Sequence, residues 1–398
     1  MGISEGYGIG SLKPGVCTSS TRPASPFDGQ VVYMTDVDQT AIWDGTAWIG
    51  LDPSRDRNVV INGAMQVAQR GTSTASITTA AYYTADRWMY EPSSMGTWTQ
   101  SVENDAPTGS GFRKSLKLLC TTADASPAAG DYILFDQRLE VQNLQQFIKG
   151  TASAKQFSLT FWVKSNATGT YNVELLDNDN TRVVTAAYTV DVSGTWEKKT
   201  VIFPADTTGA FDNDNASSLQ LSWWLGAGTT FSSGTRDTLW GTVVNADRAV
   251  GQTNLAAATS NYWQITGVQL EVGSVATPFE FEDFGTTLAK CQRYYNRVGG
   301  QSLYQSFGLG SAKSTTVVAF PVPNPVTMRT SPTAVEFSTL ICFDGNGFTG
   351  VVSAATLDGG ASNNPRINVT VTSATQFRPY ELLTNNSTSG FIAITAEL

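Results

Sequence analysis

Histidine is absent from all 398 residues. That single absence removes the Ser-His and Cys-His nucleophilic pairs and the commonest metal ligand. Charge is scarce as well. Only 15% of residues are charged and the net charge is −9, which leaves no clustered Lys and Arg for a phosphate backbone, so nucleic acid is excluded as a partner. The four cysteines, Cys17, Cys120, Cys291 and Cys342, contain no CxxC pair. They read as buried free thiols, and neither a zinc site nor a disulfide framework is expected. No run approaches the roughly 20 apolar residues of a membrane span, so no membrane insertion is expected. The segment MGISEGYGIGSLKPG lacks the charged and apolar regions of a secretion signal, and synthesis and folding in a host cytoplasm are expected. GxSxG, HExxH and Walker-type motifs are missing, and the glycines of GYGIG lie outside any strand-to-helix context that cradles phosphate. No short repeat is present, which disfavours a β-helix.

What the chain does have is 36 glycines among abundant Ser, Thr, Asn and Val. That mixture suits strands joined by tight turns. An all-β fold is predicted, in which a central jelly-roll β-sandwich is flanked by a small N-terminal β unit and a C-terminal β-sandwich-like domain. Residues 1–56 form a docking arm and small β unit, whose strands are Val31–Thr35, Thr40–Trp43 and Ala47–Ile49, the last two joined by Asp44-Gly45. So small a unit is expected to pack against neighbouring chains. Residues 57–284 carry the sandwich. In SLTFWVKS, Leu159, Phe161 and Val163 share one face, with Thr160, Trp162 and Lys164 on the other. In LQLSWWLG, Leu219, Leu221, Trp223 and Leu225 point inward, with Gln220, Ser222 and Trp224 outward. QNLQQFI reads as a helical turn. The block YWQITGVQLEVG ends before Thr277-Pro278, where ladder pairing stops. TTLAKCQRYYNR then reads as a short helical connector, residues 285–300, leading to a β-rich tip at 301–398.

Several blocks taken together resemble one family. NVVINGAMQVAQRGTS, YYTADRW, FWVKS, TWEKKTVIFPADTTGAFDNDN, NYWQITGVQLEVGSVATPFEF and CQRYYNR, in that order, are similar to tail-fibre and minor structural proteins of bacteriophages, especially marine and cyanobacterial ones. The leader SSTRPASPFDGQVVYMTDVDQTAIWDGTAWI resembles the N-terminal unit of such virion proteins. The resemblance covers residues 18–297 and implies a virion location, a homotrimer, docking to other virion proteins through the N-terminal region, and a carbohydrate-binding-like jelly roll. It carries no catalytic residues. A tail fibre or spike-like appendage engaging a host-surface glycan is the expectation. A head fibre or capsid decoration protein is the first alternative and a tail-spike glycosidase the second.

Glycoside hydrolysis needs only two carboxylates, and 34 acidic residues are present, but no acidic motif stands out, so a non-enzymatic protein is expected. Trp162 and Trp224, on the polar faces of their strands, are candidates for subunit contact or for stacking on a sugar, with Gln220, Ser222 and Lys164 as hydrogen-bonding neighbours. A surface poor in charge and rich in Thr and Asn suits neutral glycans. Trp98, Trp196, Trp223 and Trp263 read as core. In the Asp212-Asn213-Asp214-Asn215 run, Asp212 and Asp214 place oxygens as calcium prefers, or simply close an Asx-rich turn. No other cofactor is expected. Specificity loops are placed near Phe343–Asn346 and Asn363–Arg366 by their Gly and Asn content.

Overall fold

Period-two alternation dominates the chain, and its computed structural model is correspondingly built from strands. It describes residues 14–37, 39–51, 56–322, 324–347, 349–359 and 361–398. At the N-terminal end, β1 (Gly15–Cys17), β2 (Val31–Met34), β3 (Gln39–Trp43) and β4 (Trp48–Leu51) form a four-stranded sheet in that order. The predicted three strands are there. The fourth, β1, pairs parallel with β2, inside a stretch whose Pro and Gly content reads as linker. Asp44 closes the β3–β4 hairpin by accepting the backbone N–H groups of Thr46 (2.8 Å) and Ala47 (2.7 Å). Among the described residues the unit's apolar cluster comprises Val32, Met34 and Ala41, and Val275 from after the strand Tyr262–Val272 completes it. Its small core is thus finished from within the chain. Gly50 N–H donating to Ala276 (3.1 Å) and Gln39 Nε2 donating to Val275 (3.2 Å) fix the junction.

The central region contributes β5 (Ser73–Ile77), β6 (Ala81–Tyr82), β7 (Met89–Ser93), β8 (Thr97–Glu103), β9 (Ser115–Thr122), β10 (Tyr132–Leu139), β11 (Phe157–Ser165), β12 (Gly169–Asp177) and β13 (Arg182–Val190). It continues with β14 (Glu197–Phe203), β15 (Leu219–Ala227), helix α1 (Thr229–Ser232), β16 (Gly241–Thr242) and β17 (Tyr262–Val272). These make two sheets, ordered β16-β13-β12-β15-β10-β7-β6 and β14-β11-β17-β9-β8-β5. Leu159, Phe161 and Val163 meet Leu219, Leu221, Trp223 and Leu225 in one buried cluster between them. The sandwich core is aromatic: Trp88 stacks on Phe135 at 5.0 Å, and Trp223 lies edge-on to Phe161 at 5.4 Å. QNLQQFI forms two short 3-10 turns, Val141–Asn143 and Gln145–Phe147.

Helix α2 (Phe284–Gln292) begins where Asp283 accepts Gly285 N–H at 2.8 Å. It ends sooner than the connector reading implied. Tyr295–Gly299 is a strand, because it pairs with Phe391–Thr395 in a three-stranded sheet that also includes Ala334–Ser338. A seven-stranded sheet covers this one, and Phe307, Phe320, Ile367, Val369, Leu382 and Ile394 lie in the core they share. Cys120, Cys291 and Cys342 are buried, Cys17 is half-buried, and all four are free thiols.

Three of the quoted sequence blocks, NVVINGAMQVAQRGTS, YYTADRW and CQRYYNR, converge on one joint between these bodies. Asn62 accepts the N–H groups of Gln66 (2.9 Å) and Val67 (3.0 Å) and donates to Val67 and Asp86 carbonyls, pinning the loop of the first block to YYTADRW. Arg87, whose side chain is fully buried at φ +73°, pairs with Glu397 and donates to the Arg138 carbonyl at 2.6 Å. Its guanidinium lies 3.5 Å from the Tyr294 ring, as Arg70 does from Tyr295. Arg293 and the Tyr294 hydroxyl both reach the buried Glu140 carboxylate. These blocks therefore build structure.

Candidate functional site

Parity along β11 and β15 puts Trp162 and Trp224 on outer faces, but of opposite sheets. They cannot belong to one site. Trp224 is also only 1% exposed. The segment 228–254 folds back over the seven-stranded sheet and buries it with Leu134 and Ala249, against Phe231 at 5.3 Å and Arg248 at 5.0 Å. Gln252 and Arg236 anchor that segment on Asn172, and Arg248 pairs with Glu174. Gln220 and Ser222 are buried beside it. These three candidates are thus corrected: a side chain pointing away from the core is not exposed when a distant segment covers the face.

The covered face holds one unusual group. Asp136 lies opposite Ser222 in register, fully buried, and neither its carboxylate oxygens nor the Ser222 hydroxyl has a hydrogen-bond partner. Arg138 Nε is 3.7 Å away, beyond hydrogen-bond reach. Burial, reinforced by the neighbouring Glu91, pushes the Asp136 carboxyl well above the usual range. The folded state therefore keeps this proton after the unfolded chain has lost it. Stability contributed here is greatest below the ordinary Asp value and falls as pH rises above it. Asp136→Asn, which mimics the neutral acid, is expected to match the parent near pH 4 and to exceed it at pH 8. Denaturant unfolding at the two pH values measures this gain, and equal stability of variant and parent at pH 8 would mean that the carboxyl carries no linked cost.

The outer face of the six-stranded sheet is accessible along β14 and at Trp162 and Lys164, while Thr160, Gln264 and Thr266 on the same face are buried. Trp162 stands half-buried between Lys198 of β14 and Thr266 of β17 in register. Two residues on, Lys164 stands opposite Gln264, with Trp196 just before β14 alongside. Trp196 is half-buried on this face, not in the core. Its Nε1 donates to Asp105 Oδ1 at 3.2 Å, and Lys164 pairs with the same carboxylate while its Nζ lies 5.1 Å from the indole centroid. Burial alone would raise Asp105, but these hydrogen bonds outweigh it and hold its carboxyl below the usual range. The carboxylate fixes both the lysine and the indole.

Trp162 owes its pose to a bulge. The register slips between Thr160 and Trp162 against β17, where Gly267 adopts φ +63°. A Cβ there would sit 3.1 Å from Trp162 Cδ1 and 2.5 Å from Phe112 Cζ. Only glycine lets both rings lie against the strand. Phe112 contacts Phe279 at 4.8 Å and Phe281 at 5.2 Å, and Phe281 is 54% exposed. An aromatic row thus runs across the face. Phe112, Phe281 and Gly267 carry no sequence signal for this role. Trp196 did carry one, since Val201 and Phe203 point inward and the same parity sets Trp196 outward with Lys198.

The acidic run behaves as a turn. Asp214 accepts Ala216 N–H at 2.7 Å, and Asp212 N–H donates to Asp179 at 2.9 Å. Among the described residues no group of three or more Asp, Glu or Cys side chains gathers as a metal site requires. The loops at Phe343–Asn346 and Asn363–Arg366 belong to the C-terminal body, away from the two indoles, and Asp344 accepts Asn346 N–H at 2.8 Å.

No protein-family model and no curated protein matches the chain. Among solved structures it is similar to the enzymatically active domain of tailspike protein 4 of bacteriophage CBA120, with 15% identity and a TM-score of 0.29, over 55% of this chain and 22% of that one. It is also similar to the family 11 carbohydrate-binding module from Clostridium thermocellum in complex with a β-1,3-1,4-mixed-linked tetrasaccharide, with 8% identity and a TM-score of 0.27, over 52% of this chain and 98% of that one. A third is TmCBM61 in complex with β-1,4-galactotriose, with 9% identity and a TM-score of 0.27, over 55% and 100%. The all-β sandwich architecture itself stands on the strand pairing described above.

Proposed function

We propose that the protein is a non-catalytic attachment component of a phage particle, a homotrimeric tail fibre or spike-like appendage that grips a host-surface glycan through the outer face of its six-stranded sheet. One observation carries the reading: Trp162 and Trp196 are half-buried diagonal neighbours on the outer sheet face, beside Lys164, Lys198 and Asp105. Indoles offer flat apolar area to the C–H face of a sugar, while fixed polar neighbours meet its hydroxyls. Diagonal strand positions lie roughly 7–8 Å apart, the scale of one or two sugar units. The sequence resemblance supports the virion setting, in which the N-terminal region docks to other virion proteins. Three weak sites in a closed trimer act as one avid site.

Titration of the protein with host polysaccharide fragments tests this. Trp162→Ala and Trp196→Ala are each expected to weaken binding on the order of tenfold, the scale of a lost aromatic stacking contact. Trp224→Phe, changed under its cover, is expected to leave affinity unaltered. Reducing ends released from the polysaccharide would instead favour the glycosidase alternative, and antibody label spread over the phage head would favour the head fibre or decoration role.

A further inference from the structure

The N-terminal unit does not lie flush on the sandwich. Between them runs a groove of about 810 Å³, walled by the 19–26 loop and the Trp43–Ile49 hairpin on one side and by Lys198, Thr200 and Ile202 of β14 on the other. That volume falls in the range of ligand sites. Trp43 and Trp48 stand at its side, half-buried and edge-on to one another at 5.7 Å. Ser274 lines the floor, its hydroxyl buried and without a hydrogen-bond partner among the described residues.

The charges in this groove run against the rest of the chain. The net charge is −9, yet the groove presents Arg22 and Lys198. Neither has a carboxylate within ion-pair distance among the described residues. Arg22 spends its Nε on the Ser19 carbonyl at 2.9 Å, which orients the remaining guanidinium N–H groups. Asp36 nearby is committed to the Ser19 N–H and hydroxyl. Asp44, the one carboxylate lining the groove, has Oδ1 engaged by its own turn. The groove also continues the proposed binding face, because Lys198 lies directly opposite Trp162 in register.

We infer that this groove is a second subsite on the same track and that its ligand is an acidic oligosaccharide, whose carboxylate or sulfate groups meet Arg22 and Lys198 while a sugar ring packs on Trp48. The inference rests on the glycan-binding reading and narrows it, from the neutral glycans that composition suggested to anionic ones. Guanidinium and ammonium groups without an ion-pair partner among the described residues, at the rim of an apolar cleft, attract anions, and a neutral sugar draws no comparable gain from them.

The test is calorimetric titration of the full chain with three hexasaccharides: an oligoguluronate, a sulfated galactan fragment and maltohexaose. Tighter binding of one or both anionic ligands is expected, weakening as salt rises; which of the two binds better identifies carboxylate or sulfate as the recognised group. Arg22→Gln and Lys198→Gln, both changes of surface side chains, are each expected to lower anionic affinity about tenfold, the scale of one charge-assisted hydrogen bond; Arg22→Gln, at a position off the Trp162 face, is expected to leave maltohexaose unchanged. Circular dichroism establishes that each variant is folded. Equal affinity for all three ligands, or charge variants that bind the anionic ones like the parent, overturns the inference. If Trp162→Ala abolishes binding throughout while the charge variants change nothing, the groove falls and the outer face stands. If the charge variants act and Trp162→Ala does not, the groove stands alone.

Discussion

Arg87→Met is expected to destabilise the protein by about 3–5 kcal/mol, the scale of breaking a buried ion pair and stranding its partner. The Arg87 side chain has no solvent exposure, and it pairs with Glu397, whose side chain is only 8% exposed. Removing the guanidinium leaves that carboxylate with Arg70 alone, at 3.2 Å. It also strips the Arg138 carbonyl of its donor and the Tyr294 ring of its cation. Glu397 is in the last strand-flanking segment of the C-terminal body, and Arg87 is in the sandwich, so the loss falls on the joint. All ten tryptophans precede residue 264, so indole fluorescence follows the N-terminal unit and the sandwich, while far-ultraviolet dichroism follows every strand. In urea the parent is expected to lose both signals together. The variant is expected to lose dichroism first as the C-terminal body comes away. Coincident transitions at the parent's midpoint would mean that the joint contributes little.

Alternation made much of this architecture readable. Phe161 and Trp223 were placed inward by parity alone, because a period of two is fixed by strand geometry and every second residue shares a face. What parity does not encode is cover. Trp224, Gln220 and Ser222 were put on the outer side of β15 and are there, yet the 228–254 segment, which has little strand pattern of its own, lies over them. Trp196 was misplaced for the opposite reason: it precedes the first paired residue of β14, where hydrophobicity suggested core and only the register of Val201 and Phe203 says otherwise. Tyr295–Gly299 looked like the end of a helix because its strand partner, Phe391–Thr395, lies nearly a hundred residues further on. The sequence blocks that carry the resemblance are the clearest lesson. Arg87, Asn62 and Tyr294 of three blocks fasten one body to another, whereas FWVKS and TWEKK supply Trp162, Lys164, Trp196 and Lys198 of the outer face.

Lys149→Met is expected to cost about as much as the loss at Arg87, roughly 3–5 kcal/mol, at the far end of the sandwich. The Lys149 side chain is fully buried. Its ammonium pairs with Asp177 and with Asp206 at 3.0 Å, donates to the Gly209 carbonyl at 2.6 Å, and lies 4.9 Å from the rings of both Phe211 and Trp240. It ties the β12–β13 hairpin to the loop after β14. Asp206 retains Arg182, at 2.9 Å, and hydrogen bonds from Arg182 and then Lys149 outweigh its burial and hold its carboxyl below the usual range. That contribution is present above the ordinary Asp value and is lost as pH falls through the depressed one, so part of the difference between variant and parent is expected to shrink in strong acid. Among the described residues Asp177 keeps Asn180 as its side-chain hydrogen-bond partner, with N–H at 3.0 Å, and becomes a buried charge with no cation in ion-pair range. Removing that charge as well separates the two costs. In Lys149→Met/Asp177→Asn the uncompensated carboxylate is gone, and stability is expected to return by more than half, since a buried pair replaced on both sides is close to neutral. Equal destabilisation in the single and double variants would mean that the packing of the lysine stem between Phe211 and Trp240, rather than its charge, holds this end of the sandwich together.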